Sequence, residues 1–366
     1  SSCFLSSRTL LLPHQICFDA PFNIIPLEIP GRLSNNFFLS YSVIQVVELV
    51  EETIPGELQP NQVLIRWLAS PIHPGEINKI QGVYSFKPPL PAIGGSEGFG
   101  RVVKTGSAVR RVSQGDAVLV SARSATCWAE LSIAEESDVI KADQRLTPLQ
   151  GSSIMANPTT AWHMLRMGGL LPGDWIVQNS ANSAVGRAVI EMAREKDLHT
   201  INVVRDRPHI DELKRELMRM GADVVWTEEE VRKEGRAIRG RPKVAFNGVG
   251  GKSCLQISGL LARGGLLITY GGMSRKTHEI STSSLVFNDI TAVGILVGER
   301  MLDPANREET DTMLKEIQDL YIRGVLHPPP MDEHPLDNYK IALANAMDGK
   351  HAKQIFVMPE DSPSKL

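Results

Sequence analysis

Trp175-Ile-Val-Gln-Asn-Ser-Ala-Asn-Ser-Ala-Val-Gly186 is the stretch on which the fold turns. It opens with a short apolar run and passes through a turn of small residues. Val185, Val189 and Met192 then fall at i, i+4 and i+7, which predicts a helix over 184–196 with one apolar face. Strand, small-residue turn and helix form the first half of a βαβ unit. Small residues in such a turn let the backbone approach a pyrophosphate, and the helix start offers free N–H groups and a positive dipole end. Gly186 is the single glycine in the turn. A plain packing turn between strand and helix would use the same residues.

C-terminal to this unit, apolar runs predict strands over 200–204, 222–226, 243–246 and 266–270. Helical patterns over 211–220 and after Gly251 separate them. That alternation predicts an α/β domain with a doubly wound parallel sheet. Asp206 stands twenty positions after Gly186, where an acidic residue meets the adenosine ribose of a dinucleotide. Arg205 and Arg207 flank it. Two guanidinium groups there suit a 2′-phosphate, so NADPH is expected over NADH, although a solvated charge cluster at a strand end would look the same. Tyr270-Gly271-Gly272-Met273 follows the strand at 266–270, and its glycines would let the chain pass close to a nicotinamide ribose or a phosphate.

N-terminal to the unit, from residue 43 to about 140, short strands alternate with turns, as at 63–67, 100–104 and 117–121, with a further strand expected over 43–50. This is an all-β region of small-barrel character. Helices are expected over 159–167, 307–322 and 336–347, and a terminal strand over 354–358. Tyr84, in Gln81-Gly-Val-Tyr84, is a candidate proton donor near a developing enolate, or else a packing residue. His73 has no partner at metal-ligand spacing and is read as structural.

The chain has 366 residues, enough for two domains, and a formal charge of -3, which gives no electrostatic footprint for nucleic acid. No apolar run reaches the roughly 18–20 residues that a membrane span needs. Cys3, Cys17, Cys127 and Cys254 are scattered without a C-x-x-C pair, so neither a structural zinc site nor a disulfide framework is expected. The two ends point to different compartments. The first eighteen residues are free of acids and carry Arg8, as in a mitochondrial targeting segment, while Ser364-Lys365-Leu366 is a peroxisomal address.

A β-rich region, a Rossmann domain and a C-terminal return together resemble the medium-chain dehydrogenase/reductase superfamily. Ser96-Glu97 stands where its zinc members carry His-Glu, so the resemblance is to the zinc-free branch and no metal is expected. More specific strings are Gln81-Gly-Val-Tyr84, Gln178-Asn-Ser-Ala-Asn-Ser-Ala-Val-Gly186, Thr200-Ile-Asn-Val-Val-Arg-Asp-Arg-Pro208, Val249-Gly-Gly-Lys-Ser253, Thr269-Tyr-Gly-Gly-Met273 and Lys353-Gln-Ile. From about residue 43 to 358 these resemble the mitochondrial trans-2-enoyl-thioester reductases.

The resemblance implies a GroES-like β-barrel catalytic domain over 43–157, a Rossmann cofactor domain over 158–300 and a return over 301–366, with 1–42 as an unmatched leader. It implies Tyr84 as the catalytic residue. It also implies an NADPH site lined by Asn157, Asn182, Ser183, Ala184, Val185, Arg205, Asp206, Arg207, Tyr270, Gly271, Gly272, Met273, Ile295, Leu296, Val297 and Lys353. The implied substrate is a trans-2-enoyl thioester on acyl carrier protein or CoA, and the implied assembly is a homodimer. A quinone or alkenal reductase on the same scaffold and a non-enzymatic cofactor-binding protein are the alternatives. The chain departs from the family at Ala184, where glycine is usual, at Ile295-Leu296, where Phe-Trp is usual, and at Thr126, where glycine is usual.

Overall fold

The protein is described by a computed structural model over residues 13–18, 43–120 and 126–360. It divides into two compact units. One runs to Met155 and resumes at Pro330, and the other spans Ala156–Pro329.

In the second unit, parallel strands form a six-stranded sheet among the described residues. They are β9 (Trp175–Gln178), β10 (His199–Val204), β11 (Val224–Thr227), β12 (Pro242–Asn247), β13 (Leu266–Thr269) and β14 (Thr291–Gly294), in the order β11-β10-β9-β12-β13-β14. The mostly buried, apolar runs of β9 to β13 suit a sheet covered on both faces, whereas β14 is largely exposed. Helices Ala184–Glu195, Ile210–Met220 and Gly251–Ser258 supply crossovers between them. Sheet growth changes direction between β9 and β12, and in open α/β sheets ligands bind at such a switch point, beyond the carboxyl ends of the strands.

In the first unit, β3 (Gln62–Pro71) is the spine and is buried along nine of its ten residues. It pairs with β5 (Phe99–Thr105), β7 (Leu131–Glu135) and the return strand β16 (Lys353–Val357). β6 (Ala117–Val120), β8 (Val139–Lys141) and β15 (Met331–His334) complete that sheet. The core holds Trp67, Trp128 and Phe356, with Trp128 and Phe356 meeting edge to face at 5.5 Å.

Three sequence-based expectations change. The strand expected over 43–50 begins only at Val47, as β2 (Val47–Glu51), with residues 43–45 helical. Residues 14–18, expected in an unmatched leader, form β1 (His14–Phe18), which pairs with β2 and β4 (Ala92–Ile93) and buries Ile16 and Phe18 in the core. Their alternating apolar pattern is too short to separate from a leader by sequence. The boundary expected at residue 300 lies at Pro330, because the helix Arg307–Ile322 packs on the helix Asn157–Met167 of the second unit. Residues 1–12 and Ser364-Lys365-Leu366, which carry most of the targeting signals, lie outside the described residues. Among the described residues no helix is long and apolar enough to cross a membrane.

Candidate functional site

The residues singled out from the sequence fall in both units, and each unit has its own polar cluster. In the second, the turn after β9 is fixed from below. Asn179 donates from Nδ2 to Asn247 Oδ1 at 2.8 Å and accepts the Gly248 N–H at 2.8 Å. Asn247 also accepts from the Gly250 N–H at 3.0 Å. Gln178 donates to the Gly186 carbonyl at 2.9 Å and to Asn202 at 2.8 Å. Ser183 caps the following helix by accepting the Gly186 N–H at 3.1 Å. A Cβ on Gly186 would lie 2.5 Å from the Ala181 carbonyl oxygen, so the one glycine of the turn stands where helix and turn approach most closely. The Ser183 N–H is taken by the Ser180 carbonyl at 2.9 Å, and among the described residues the Asn182, Ala184 and Val185 amides remain free to receive an anion.

Arg205, Asp206 and Arg207 follow β10 and are exposed. Asp206 accepts the Arg207 backbone N–H at 2.9 Å, and neither guanidinium has an ion-pair partner among the described residues. Some desolvation by the surrounding chain, with the neighbouring Arg205 charge, holds the exposed Arg207 below its ordinary value. Two adjacent unpaired cations of this kind can hold a phosphate.

Tyr270, Gly271, Gly272 and Met273 are laced to the loop after β12. Tyr270 N–H reaches the Asn247 carbonyl at 3.0 Å and Met273 N–H the Gly248 carbonyl at 3.1 Å. The Tyr270 ring lies against Gly248, where a Cβ would meet the phenolic oxygen at 2.6 Å. Its hydroxyl is buried without a well-aligned hydrogen bond. Burial raises it to about 12, and the nearby Ser183 hydroxyl opposes that shift. Asn157 Nδ2 is likewise buried and unpaired, at the start of its helix. Of Ile295, Leu296 and Val297, the last is buried and Leu296 is 56% exposed.

In the first unit, Tyr84 follows the helix Pro74–Ile80, with its N–H on the Asn78 carbonyl at 3.1 Å. The Lys79 ammonium stands 5.8 Å from the centre of its ring and 3.2 Å from the buried Glu76 carboxylate. Glu76 also accepts from the Gly95 N–H at 3.3 Å and from the Ser96 hydroxyl. Beside this lies Glu97, which accepts from His73 Nε2 at 2.5 Å and from the Met155 N–H. Lys353 donates to His73 Nδ1 at 3.0 Å. Lys353 is half-buried, and desolvation pulls its ammonium down to about 8 against the opposing pull of Glu97 and Glu76. Burial and the same two carboxylates push the Cys127 thiol up, which makes it a poor nucleophile.

His73, read from the sequence as structural, is therefore the link between Lys353 and Glu97. Asn179 and Asn247 were also missed. The signal for them was an asparagine at the end of two separate apolar runs. Among the described residues no three His, Cys, Asp or Glu side chains come together as a group that could hold a metal.

Comparison with known proteins adds the following. The family described as "Alcohol dehydrogenase GroES-like domain" matches residues 59–146, and that described as "Zinc-binding dehydrogenase" matches residues 184–319. A Caenorhabditis elegans protein named mitochondrial enoyl-[acyl-carrier-protein] reductase is 44% identical over 320 residues, 86% of this chain and 92% of its own. The human protein of that name is 38% identical over 321 residues, covering 86% and 85%. Among solved structures, the mitochondrial 2-enoyl thioester reductase Etr1p/Etr2p heterodimer from Candida tropicalis is similar with a TM-score of 0.83 at 30% identity, covering 95% of this chain and 100% of that one. A complex of Etr1p with NADP and crotonyl-CoA is similar with the same score, identity and coverage.

Proposed function

Since the chain belongs to the family of mitochondrial enoyl-[acyl-carrier-protein] reductases, we propose that it reduces the 2,3 double bond of trans-2-enoyl thioesters with NADPH, in the mitochondrion. The observation that carries this reading is the set of unsatisfied groups in the second unit. Among the described residues the guanidiniums of Arg205 and Arg207 have no ion-pair partner, the Arg207 Nε reaching only the Arg205 carbonyl at 3.4 Å, and the buried Asn157 amide and Tyr270 hydroxyl lack a well-aligned hydrogen bond; NADPH brings phosphate and other polar oxygen atoms. The residues fit the cofactor.

In this reading the turn of Asn182, Ser183, Ala184 and Val185 holds the pyrophosphate through its free amides, those of Asn182, Ala184 and Val185. Arg205 and Arg207 hold the 2′-phosphate, and Asp206 lies at the adenosine ribose. Asn157, Tyr270, Gly271, Gly272, Met273, Ile295, Leu296, Val297 and Lys353 line the rest. NADPH, when bound, supplies the hydride that adds to Cβ of the enoyl thioester. Tyr84 hydrogen-bonds to the enolate charge that develops as Cβ is reduced, which lowers the barrier, and donates the proton that completes the saturated thioester at Cα, its phenol regaining a proton from solvent. The Lys79 ammonium beside its ring favours that donation.

The thioester arrives on acyl carrier protein or CoA, and the working form is a dimer. The dimer is supported by the outer edge of β14, which carries no neighbouring strand among the described residues, and by Val286 and Phe287 close by in sequence, 65% and 75% exposed. An open edge beside exposed apolar side chains is a surface that a second copy would cover. NADPH oxidation with trans-2-enoyl-CoAs of graded length, set against a simple quinone, tests the activity. Turnover of the quinone with none of any enoyl-CoA would overturn it.

A further inference from the structure

β16 lies antiparallel to β3, and the Ile72 N–H reaches the Gln354 carbonyl at 2.9 Å. This register sets Lys353 beside His73, although they are 280 positions apart in the chain. Glu97 is only 2% exposed and is held at three points. One carboxylate oxygen takes the Met155 N–H, the other takes His73 Nε2–H, and its carbonyl takes the Ser70 hydroxyl at 2.6 Å. An ammonium has no lone pair and can only donate, so the Lys353 contact requires a lone pair on Nδ1 and leaves the ring proton on Nε2, facing Glu97. The chain of charges reads carboxylate, neutral imidazole, ammonium.

Such an arrangement is costly. A lysine at the start of a strand ordinarily extends its amine to water, and an apolar side chain would fill the same space without a desolvation penalty. Here the amine is turned inward, and burial lowers its proton affinity. Among the described residues His73 is its one hydrogen-bond partner, so two of the three ammonium donors remain for something else. The charged groups around it are Glu97 and Glu76, with Lys79 paired to Glu76.

We infer that His73 and Glu97 are positioning residues that turn the Lys353 ammonium inward and hold it as a charged donor to the oxygen atoms of NADPH. This rests on the reading that places Lys353 at the cofactor. The Glu97 charge keeps the His73 tautomer fixed, and His73 keeps Lys353 aimed.

The full-length protein is titrated with NADPH by fluorescence and assayed with a trans-2-enoyl-CoA, for Lys353→Met, His73→Ala, His73→Asn and the Lys353→Met/His73→Ala pair. Losing a charge-assisted contact should weaken NADPH by about tenfold to a hundredfold in Lys353→Met, and about tenfold in His73→Ala. KM for NADPH should rise in both, with kcat at saturating cofactor within about twofold, the mark of a lost binding contact. The double variant should be no weaker than Lys353→Met alone, because His73 acts through Lys353. His73→Asn, whose amide oxygen can accept from the ammonium, should recover most of the affinity. If His73→Ala does not fold, His73→Phe removes both nitrogens with the ring volume kept and gives the same readings. Multiplying losses in the double variant, or unchanged affinity in a folded His73 variant beside a weakened Lys353→Met, would overturn the inference alone. Unchanged NADPH affinity in Lys353→Met would instead overturn the placement of Lys353 at the cofactor.

Discussion

Asn179 Nδ2 lies 2.8 Å from Asn247 Oδ1, joining residues 68 positions apart at the ends of β9 and β12. These two strands flank the point where the sheet changes its direction of growth. Both side chains also accept backbone N–H groups from the loop after β12, so one buried pair fixes both walls of the crevice. The turn below Ala184 and the loop facing Tyr270 thereby hold their shape before any ligand arrives, and a rigid cradle loses less entropy on binding.

Gly186→Ala tests how tightly that cradle is built. The added methyl would meet the Ala181 carbonyl oxygen at 2.5 Å, and backbone there has little room to retreat. A loss of about 1–3 kcal/mol is expected from overpacking, seen as a lower Tm, together with weaker NADPH binding as the turn shifts. An unchanged Tm and affinity would show that the turn yields freely.

Arg205 and Arg207 are proposed to carry the choice of cofactor. Each charge-assisted bond to a phosphate contributes about 1.5–3 kcal/mol. Arg205→Ala or Arg207→Ala should weaken NADPH by about tenfold to a hundredfold and leave NADH nearly untouched. Titrations of both cofactors decide it, and equal losses would mean that the pair does not read the 2′-phosphate.

Tyr84→Phe keeps the ring beside Lys79 and removes the proton. Turnover of a trans-2-enoyl-CoA should fall by about 10²–10⁴-fold, the range for a positioned acid, with NADPH affinity and Tm close to the parent. Retained turnover would assign the proton to another group or to water.

Lys353 gives a dependence on pH with a definite sign. Its ammonium is lowered from 10.5 to about 8 by burial. Below about pH 8 the amine is charged in folded and unfolded chains alike, and the whole penalty for burying it is present. As pH rises from about 8 to 10.5 the unfolded chain still binds the proton and the folded one does not, so this group's contribution to stability rises. Lys353→Met removes that rise. The difference in Tm between parent and variant should therefore shrink between about pH 7 and about pH 10, the variant being the more stable at the lower pH. A constant difference would show that the amine is not desolvated.

The sequence by itself determined the elements and their order. The strand at Trp175–Gln178 and the helix at Arg307–Ile322 lie where their apolar spacing put them, because the periods of strand and helix are local properties written in adjacent residues. The motifs around Gly186, Asp206 and Tyr270 were legible for the same reason, since each is a short run at one turn. Tertiary structure alone decided which distant side chains meet. The pairing of β1 with β2, the bond from Asn179 to Asn247, the burial of the Tyr270 hydroxyl against Gly248 and the line from Lys353 through His73 to Glu97 all depend on strand register and sheet order. Register is fixed by burial and pairing summed over the whole sheet, and no local pattern around His73 or Lys353 records which residue will stand opposite.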